Sequence, residues 1–284
     1  MKRWIWLPCI LIFSGCNFDE HLPAEMVSMN QSQPLGNEKS LDSNIRFDIG
    51  SLEIKGGAKS GPLYSMYLEY DKASYTPDVN YSPEFGAGRL SLNLETMHRG
   101  GIHRHEHGNT LRLAFNNSVP LNLDLNTGVG DARLSLSGMK IARIRFESGV
   151  GGGRMSVYEP NSIPCESILI KNGVGRIEAV GLGNLNFREL EFEGGIGGAN
   201  LDFTGEWKQN ADVRIQVGLG GVNLVMPRDI GVRLDAEKHF LNGVQLERFQ
   251  QRDTYYYSDN YEKATIKVSV RVVAGIGGLK VTWI

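Results

Sequence analysis

Thr127-Gly128-Val129-Gly130, Ser148-Gly149-Val150-Gly151, Asn172-Gly173-Val174-Gly175, Gly194-Gly195-Ile196-Gly197 and Val217-Gly218-Leu219-Gly220 repeat one short signature through the middle of the chain. Its central apolar residues fall at 129, 150, 174, 196 and 219, in steps of 21, 24, 22 and 23. A near-fixed period of this size marks a solenoid, in which each repeat is one supersecondary unit stacked on the next. Ala274-Gly275-Ile276-Gly277 repeats the signature near the C-terminus, and Phe85-Gly86-Ala87-Gly88 anticipates it near the N-terminus.

Aligned on the central residue, the copies are Ile49, Ala87, Val129, Val150, Val174, Ile196, Leu219 and Ile276, each followed by Gly. Apolar residues stand two or four positions before it and again three and five after it; around Leu219 these are Val217, Val222 and Leu224. Inward positions therefore have one parity up to the central residue and the opposite parity beyond it. A one-residue slip in a continuous strand would turn every later side chain outward, so the chain must bend or bulge at the glycines. Period-two alternation flanks these corners, as in Leu121, Leu123 and Leu125 or Val268, Val270 and Val272. The expected fold is all-β: a parallel β-solenoid, β-helix-like, stacked from repeats of roughly 22 residues with Gly corners. Gly130, Gly151, Gly175, Gly197, Gly220 and Gly277 are its structural residues.

Three steps break the period: 38 residues from Ile49 to Ala87, 42 from Ala87 to Val129 and 57 from Leu219 to Ile276. Each is expected to hide a degenerate turn and an insertion, the last covering about residues 228–264 and including a worn copy at Leu241-Asn242-Gly243-Val244-Gln245-Leu246. Residues 279–283 are expected to form the C-terminal edge strand, an aggregation hazard unless covered.

The net charge of −2 lacks the basic footprint of a general nucleic-acid binder, and 35 glycines without a Gly-X-Y period exclude collagen. Lys2 and Arg3 precede an apolar stretch over residues 4–13, too short to span a bilayer but suited to a signal peptide. It ends in Ile12-Phe13-Ser14-Gly15-Cys16, which resembles the lipobox of bacterial lipoproteins, with Phe13 where Leu is usual. That resemblance implies cleavage after residue 15 and lipidation of Cys16, leaving 284 − 15 = 269 residues. Several acyl chains anchor stably to a membrane where one does not. Asn17 resembles the sorting signal for an outer membrane, if one exists. Residues 16–43, polar and aperiodic, read as the lipidated cysteine and a flexible tether. Cys165, with no partner for a disulfide, reads as a buried small hydrophobe.

Ile45-Arg46-Phe47-Asp48-Ile49-Gly50-Ser51-Leu52-Glu53-Ile54, Phe85-Gly86-Ala87-Gly88-Arg89-Leu90-Ser91-Leu92, the serial Gly-apolar-Gly turns and the closing Gly-Ile-Gly-Gly-Leu-Lys-Val resemble bacterial toast-rack proteins. They are similar also to the C-terminal domain of LiaF-like envelope-response proteins and to adhesin-type solenoids. The likeness covers residues 44–284, divided into a toast-rack-like part, 44–110, and a repeat part, 111–284. It implies a β-solenoid on the outer face of a membrane and brings neither catalytic residues nor cofactors.

Gly-Ile-Gly-Gly at 195–198 fails as a dinucleotide loop, since the sixth position is Asn200 and a strand follows. A calcium-binding nonapeptide array fails on its period. His98, His103, His105 and His107 lie in an insertion with Arg99 and Arg104. On an extended strand His103, His105 and His107 would share one side, a metal candidate; the same loop could meet anionic envelope polymers or be an ordinary solvated loop. Tyr255, Tyr256, Tyr257 and Tyr261 suit a plug over an open solenoid end, or stacking on sugars. Glu189, Glu191 and Glu193 alternate as a solvated strand face does. No nucleophile elbow, P-loop or His-Glu-x-x-His is present. The expectation is a lipid-anchored, surface-exposed, non-enzymatic solenoid in the bacterial envelope, acting as a scaffold, adhesin-like or stress-sensing module without nucleic acid. A carbohydrate-binding or carbohydrate-active β-helix is the alternative.

Overall fold

The computed structural model describes residues 24–97, 108–236 and 244–284. Among these residues 21 strands form one open sheet wound into a solenoid, with a single 3-10 turn at Leu182–Leu185. The chain begins with β1 (Met26–Gln33), β2 (Ser40–Ile49) and β3 (Ser51–Gly56), then β4 (Tyr64–Asp71), β5 (Tyr75–Glu84), β6 (Ala87–Thr96) and β7 (Thr110–Phe115). Regular rungs follow: β8 (Pro120–Val129) with β9 (Ala132–Ser135), and β10 (Lys140–Val150) with β11 (Gly153–Ser156). β12 (Cys165–Val180) and β13 (Phe187–Asp202) each run through their corner, and β14 (Ala211–Leu219) leads into β15 (Val222–Met226). Last come β16 (Gly231–Ala236), β17 (Val244–Leu246), β18 (Phe249–Arg252), β19 (Tyr255–Ser258), β20 (Lys267–Ile276) and β21 (Leu279–Trp283).

The stack is parallel through the regular rungs, as the repeats require. Leu125, Phe146, Ile170, Phe192, Ile215 and Val272 pair rung to rung and form one buried column. Beyond the corner Leu134, Met155, Ala179, Leu201, Leu224 and Val281 form a second. Burying each large aliphatic or aromatic side chain contributes about 1.5–3 kcal/mol, so the core is assembled in equal increments along the axis. Buried asparagines close the return loops. Asn161 donates to the carbonyls of Ile141 (2.7 Å) and Leu185 (3.2 Å), and Asn184 donates to that of Val157 (2.8 Å). These amides satisfy main-chain groups that the turns leave unpaired.

Parity reverses at every regular corner, but two residues sooner than the sequence suggests. Thr127 is buried, whereas Val129, of the same parity, points outward. The bend therefore begins at the first glycine of each signature, and the central residue stands on the outside.

Both ends depart from the expected order. β2 lies between β6 and β8, and β3 between β7 and β9. The long steps from Ile49 to Val129 are thus one excursion, which builds an outer rung from β6 and β7 before the chain returns to β8. The C-terminal end mirrors this. β20 is inserted between β14 and β16, and β21 between β15 and β17. The expectation that residues 279–283 form the edge is corrected: β21 is interior, because the chain overshoots by one rung and then comes back. Val244 and Leu246 pair with Leu279 and Val281 in the worn copy; residues 237–243 lie outside the described residues.

Two other expectations are corrected. Phe85-Gly86 is a hairpin turn and Ala87 is no corner: Phe85 (φ 48°) and Gly86 (φ 85°) join β5 to β6, with Glu84 opposite Ala87. Positive φ at both central residues is the geometry that two-residue hairpins favour. The tether ends earlier than residue 43. β1 pairs antiparallel with β4 from Met26–Asp71 to Gln33–Tyr64, and β2 starts at Ser40. β1 is polar because it packs only one half-buried face, which hides its alternation in the composition.

Antiparallel strands cover the ends. β4 pairs with β7, β5 with β6, and β19 with β16. Pro77 and Pro83 lie on β5, each an odd number of residues from the closing pair at Glu84, so their missing N–H groups fall on the side away from β6. Proline there blunts an edge against further pairing. Tyr256 packs against the core from β19, as a plug would, while Tyr257 contacts Tyr261 edge-on at 4.9 Å.

Cys165 is fully buried at the start of β12, and burial pushes its thiol up to about 12. A free thiol ionises near 8.5. The folded state thus holds its proton where the unfolded chain releases it. This contribution to stability is intact below pH ~8.5 and is lost as pH rises toward about 12. Iodoacetamide at pH 8 is expected to leave Cys165 unlabelled in the native protein and to label it in denaturant, read by peptide mapping.

Candidate functional site

The corner glycines answer to sterics. A Cβ on Gly220 (φ 149°) would lie 1.4 Å from the Gly197 carbonyl oxygen, and one on Gly197 (φ 145°) would lie 1.6 Å from that of Gly175. Both the backbone angle and the neighbouring rung forbid a side chain. The predicted structural residues Gly130, Gly151, Gly175, Gly197, Gly220 and Gly277 all show this approach to the rung beneath, at 1.4–1.8 Å.

Between these ladders the central residues project as a ridge. Val129, Val150, Val174, Ile196, Leu219 and Ile276 pair in register, with exposures from 38% to 54%. Half-covered aliphatics stacked on one another account for their own cross-strand stability. The bare ladders on either side leave concavities. One, of about 700 Å³, is bordered by Lys171, Glu193 and Gln216 and floored by Gly173, Gly195, Gly218 and Gly275. Glu193 accepts from Lys171 at 2.9 Å, and this bond raises the Lys171 ammonium above its usual range.

The larger concavity, of about 780 Å³, lies past the ridge over Gly197, Gly198 and Gly221. Asn200, Asn223 and Lys280 form its far wall, one from each of three successive rungs, and Arg176 stands at one end. Asn223 donates to Asn200 at 2.7 Å, while its own Oδ1 is buried and meets no partner among the described residues. Among the described residues no Asp or Glu lines this groove. It can hold a ligand by amide hydrogen bonds and positive charge; its described lining includes no paired acid and base and no nucleophile.

The other sequence candidates do not join it. Cys16, His98, His103, His105 and His107 lie outside the described residues. The described strands on either side of the histidine segment are β6, ending at Thr96, and β7, beginning at Thr110. Among the described residues no three His, Cys, Asp or Glu converge as a metal site. Glu189, Glu191 and Glu193 stay on the outward face of β13, the last held by Lys171. Tyr255, Tyr257 and Tyr261 carry Arg233, Arg252 and Lys267 over their rings at 5.0–5.3 Å, on the C-terminal cap and away from the groove. Asn200, Asn223 and Lys280 were open to detection in the sequence: three successive signatures place a second Gly after the corner Gly, at 198, 221 and 278, and a polar residue two further on.

The family model for the N-terminal domain of toast_rack matches residues 22–178 and again 156–225. Among solved structures, a candidate cell adhesion protein from Clostridium sporogenes is 19% identical, with 92% of this chain and 100% of that one covered and a TM-score of 0.49. A candidate adhesin from Bacteroides fragilis is 11% identical over 89% and 97% of the two chains, with a TM-score of 0.40. A candidate lipid-binding protein from Parabacteroides distasonis is 7% identical over 90% and 97%, with a TM-score of 0.27. No curated protein matches the sequence.

Proposed function

The chain belongs to the toast-rack family, and from that premise we propose a non-enzymatic β-solenoid lipoprotein of the bacterial envelope. It is anchored through Cys16 and displays its stack as an adhesin-like or ligand-sensing scaffold. The observation that carries this reading is the corner face, where an otherwise ion-paired surface is stripped to glycine beside a ridge of aliphatics. A rigid rod with one shaped face suits binding along its length, as solenoids use extended surfaces. The lipobox-like Ile12-Phe13-Ser14-Gly15-Cys16 supports the anchor. Among the described residues no helix is long and apolar enough to cross a membrane.

In growing cells fed an alkynyl fatty acid, the wild-type chain is expected to take up label and sediment with membranes. Cys16→Ser is expected to lose the label and become soluble. A Cys16→Ser chain that stays labelled and membrane-bound sinks the anchor. Protease treatment of intact cells then tests display, and turnover of a polysaccharide by the purified chain would overturn the non-enzymatic reading.

A further inference from the structure

We propose that the groove over Gly198 and Gly221 binds a linear polymer of acidic sugars. The proposal rests on the surface-module reading above and names its ligand.

The floor supplies the first reason. Unlike the corner glycines, Gly198 and Gly221 are not demanded by the stack. A Cβ on Gly198 would meet nothing nearer than 3.6 Å, and one on Gly221 nothing nearer than 3.9 Å, both ordinary contacts. Glycine inside a strand weakens it and otherwise marks a place where something approaches closely. Gly198 carries that weakness inside β13, and Gly221, just before the Ala199–Val222 pair of the next rung, repeats the bare position between β14 and β15, with no crowding in the stack to require either.

Size and hydrogen bonding narrow the ligand. A volume of about 780 Å³ falls in the range of small-ligand clefts. The six-residue ridge beside it spans about 25 Å at ~4.8 Å per rung and is one side chain wide, far short of the roughly 800 Å² per partner that a stable protein interface or a second copy of this chain needs. An extended peptide adding as a strand would need free main-chain groups. The floor has none to offer at its centre: Ala199 N donates to Gly221 O at 3.0 Å and Val222 N to Gly278 O at 2.9 Å. What remains are side chains. The amides of Asn200, Asn223 and Gln245 both donate and accept, as neighbouring hydroxyls require.

Charge gives the acidic character. Arg176 and Lys280 are exposed, and neither is in an ion pair with a described residue. With no acid among its described lining residues, the groove presents two cations about three rungs apart to a ligand running along the stack.

The test uses the full-length chain in detergent micelles, titrated with oligomers of galacturonate and of mannuronate. Maltohexaose serves as a neutral control and polyglutamate as a polyanion without sugar rings. Saturable binding of an acidic oligomer that weakens with salt is expected. Gly221→Leu should fill the floor and lower affinity at least tenfold at unchanged melting temperature. Lys280→Glu, an exposed change that leaves the floor intact, should lower it likewise. Absence of saturable binding overturns the proposal, as does equal binding of maltohexaose or polyglutamate, or wild-type affinity in Lys280→Glu whatever Gly221→Leu does to folding. A chain that binds the oligomer but is absent from the cell surface overturns the surface reading alone; a surface chain that does not bind overturns the groove alone.

Discussion

Gly220→Ala is expected to leave no folded protein, while Gly221→Ala, one residue on, is expected to change stability by less than about 1 kcal/mol. At Gly220 the added methyl would overlap the Gly197 carbonyl at 1.4 Å, and φ 149° is a conformation that L-residues rarely adopt. Neither can relax alone, because moving the Gly220 corner shifts Ile276 as well, whose carbonyl accepts from Gly220 N at 2.8 Å. Strain at special backbone angles together with overpacking exceeds about 4 kcal/mol when both act, a large part of a domain's 5–15 kcal/mol. At Gly221 the nearest atom to a Cβ is 3.9 Å away. Circular dichroism and urea denaturation of the two purified variants decide the matter; similar midpoints for both would show that the corner tolerates a side chain.

The second large effect concerns the C-terminal rung. Removing residues 267–284 is expected to abolish cooperative folding, although in an ordinary solenoid the last repeat can be trimmed at modest cost. Here β20 and β21 sit between β14 and β16 and between β15 and β17, so their loss opens a gap inside the stack. Val268, Val270, Val272, Leu279 and Val281, all buried, would go, and β16 to β19 would have nothing to rest on. Hydrogen exchange on the intact chain gives a second reading: β20 amides should exchange more slowly than those of β16, whose outer neighbour is the short strand β19. A soluble, cooperatively melting truncation would refute the interlocked arrangement.

The rungs were legible because Gly-apolar-Gly recurs with a change of inward parity, and parity is a local property of each copy. Order along the axis was not. Nothing within residues 49–129 distinguishes a chain that climbs steadily from one that overshoots and returns, since β2 meets β6 and β8 with the same column of leucines. The signature at Phe85-Gly86-Ala87-Gly88 misleads because glycine serves a hairpin and a corner alike; the difference lies in φ at Phe85, which sequence does not display. The outward turn of Val129 and its equivalents was hidden for a related reason, as an apolar residue is read inward by default while a bend can present it to solvent. The groove's polar wall was readable as a column of Asn200, Asn223 and Lys280, yet it gains meaning only when those rungs are adjacent.

The overshoot at both ends also governs how the rod bears load. A pull on the N-terminal side first unzips β1 from β4 one bond pair at a time, and then reaches β2. That strand is held along its length by β6 on one side and β8 on the other, with the tension running parallel to it, so both ladders must shear together. β20 meets a pull from the C-terminal side in the same way, once β21 has been drawn from between its own neighbours. A stack whose outermost rungs came first and last in the chain would peel; here a strand near each end is clasped between two neighbours.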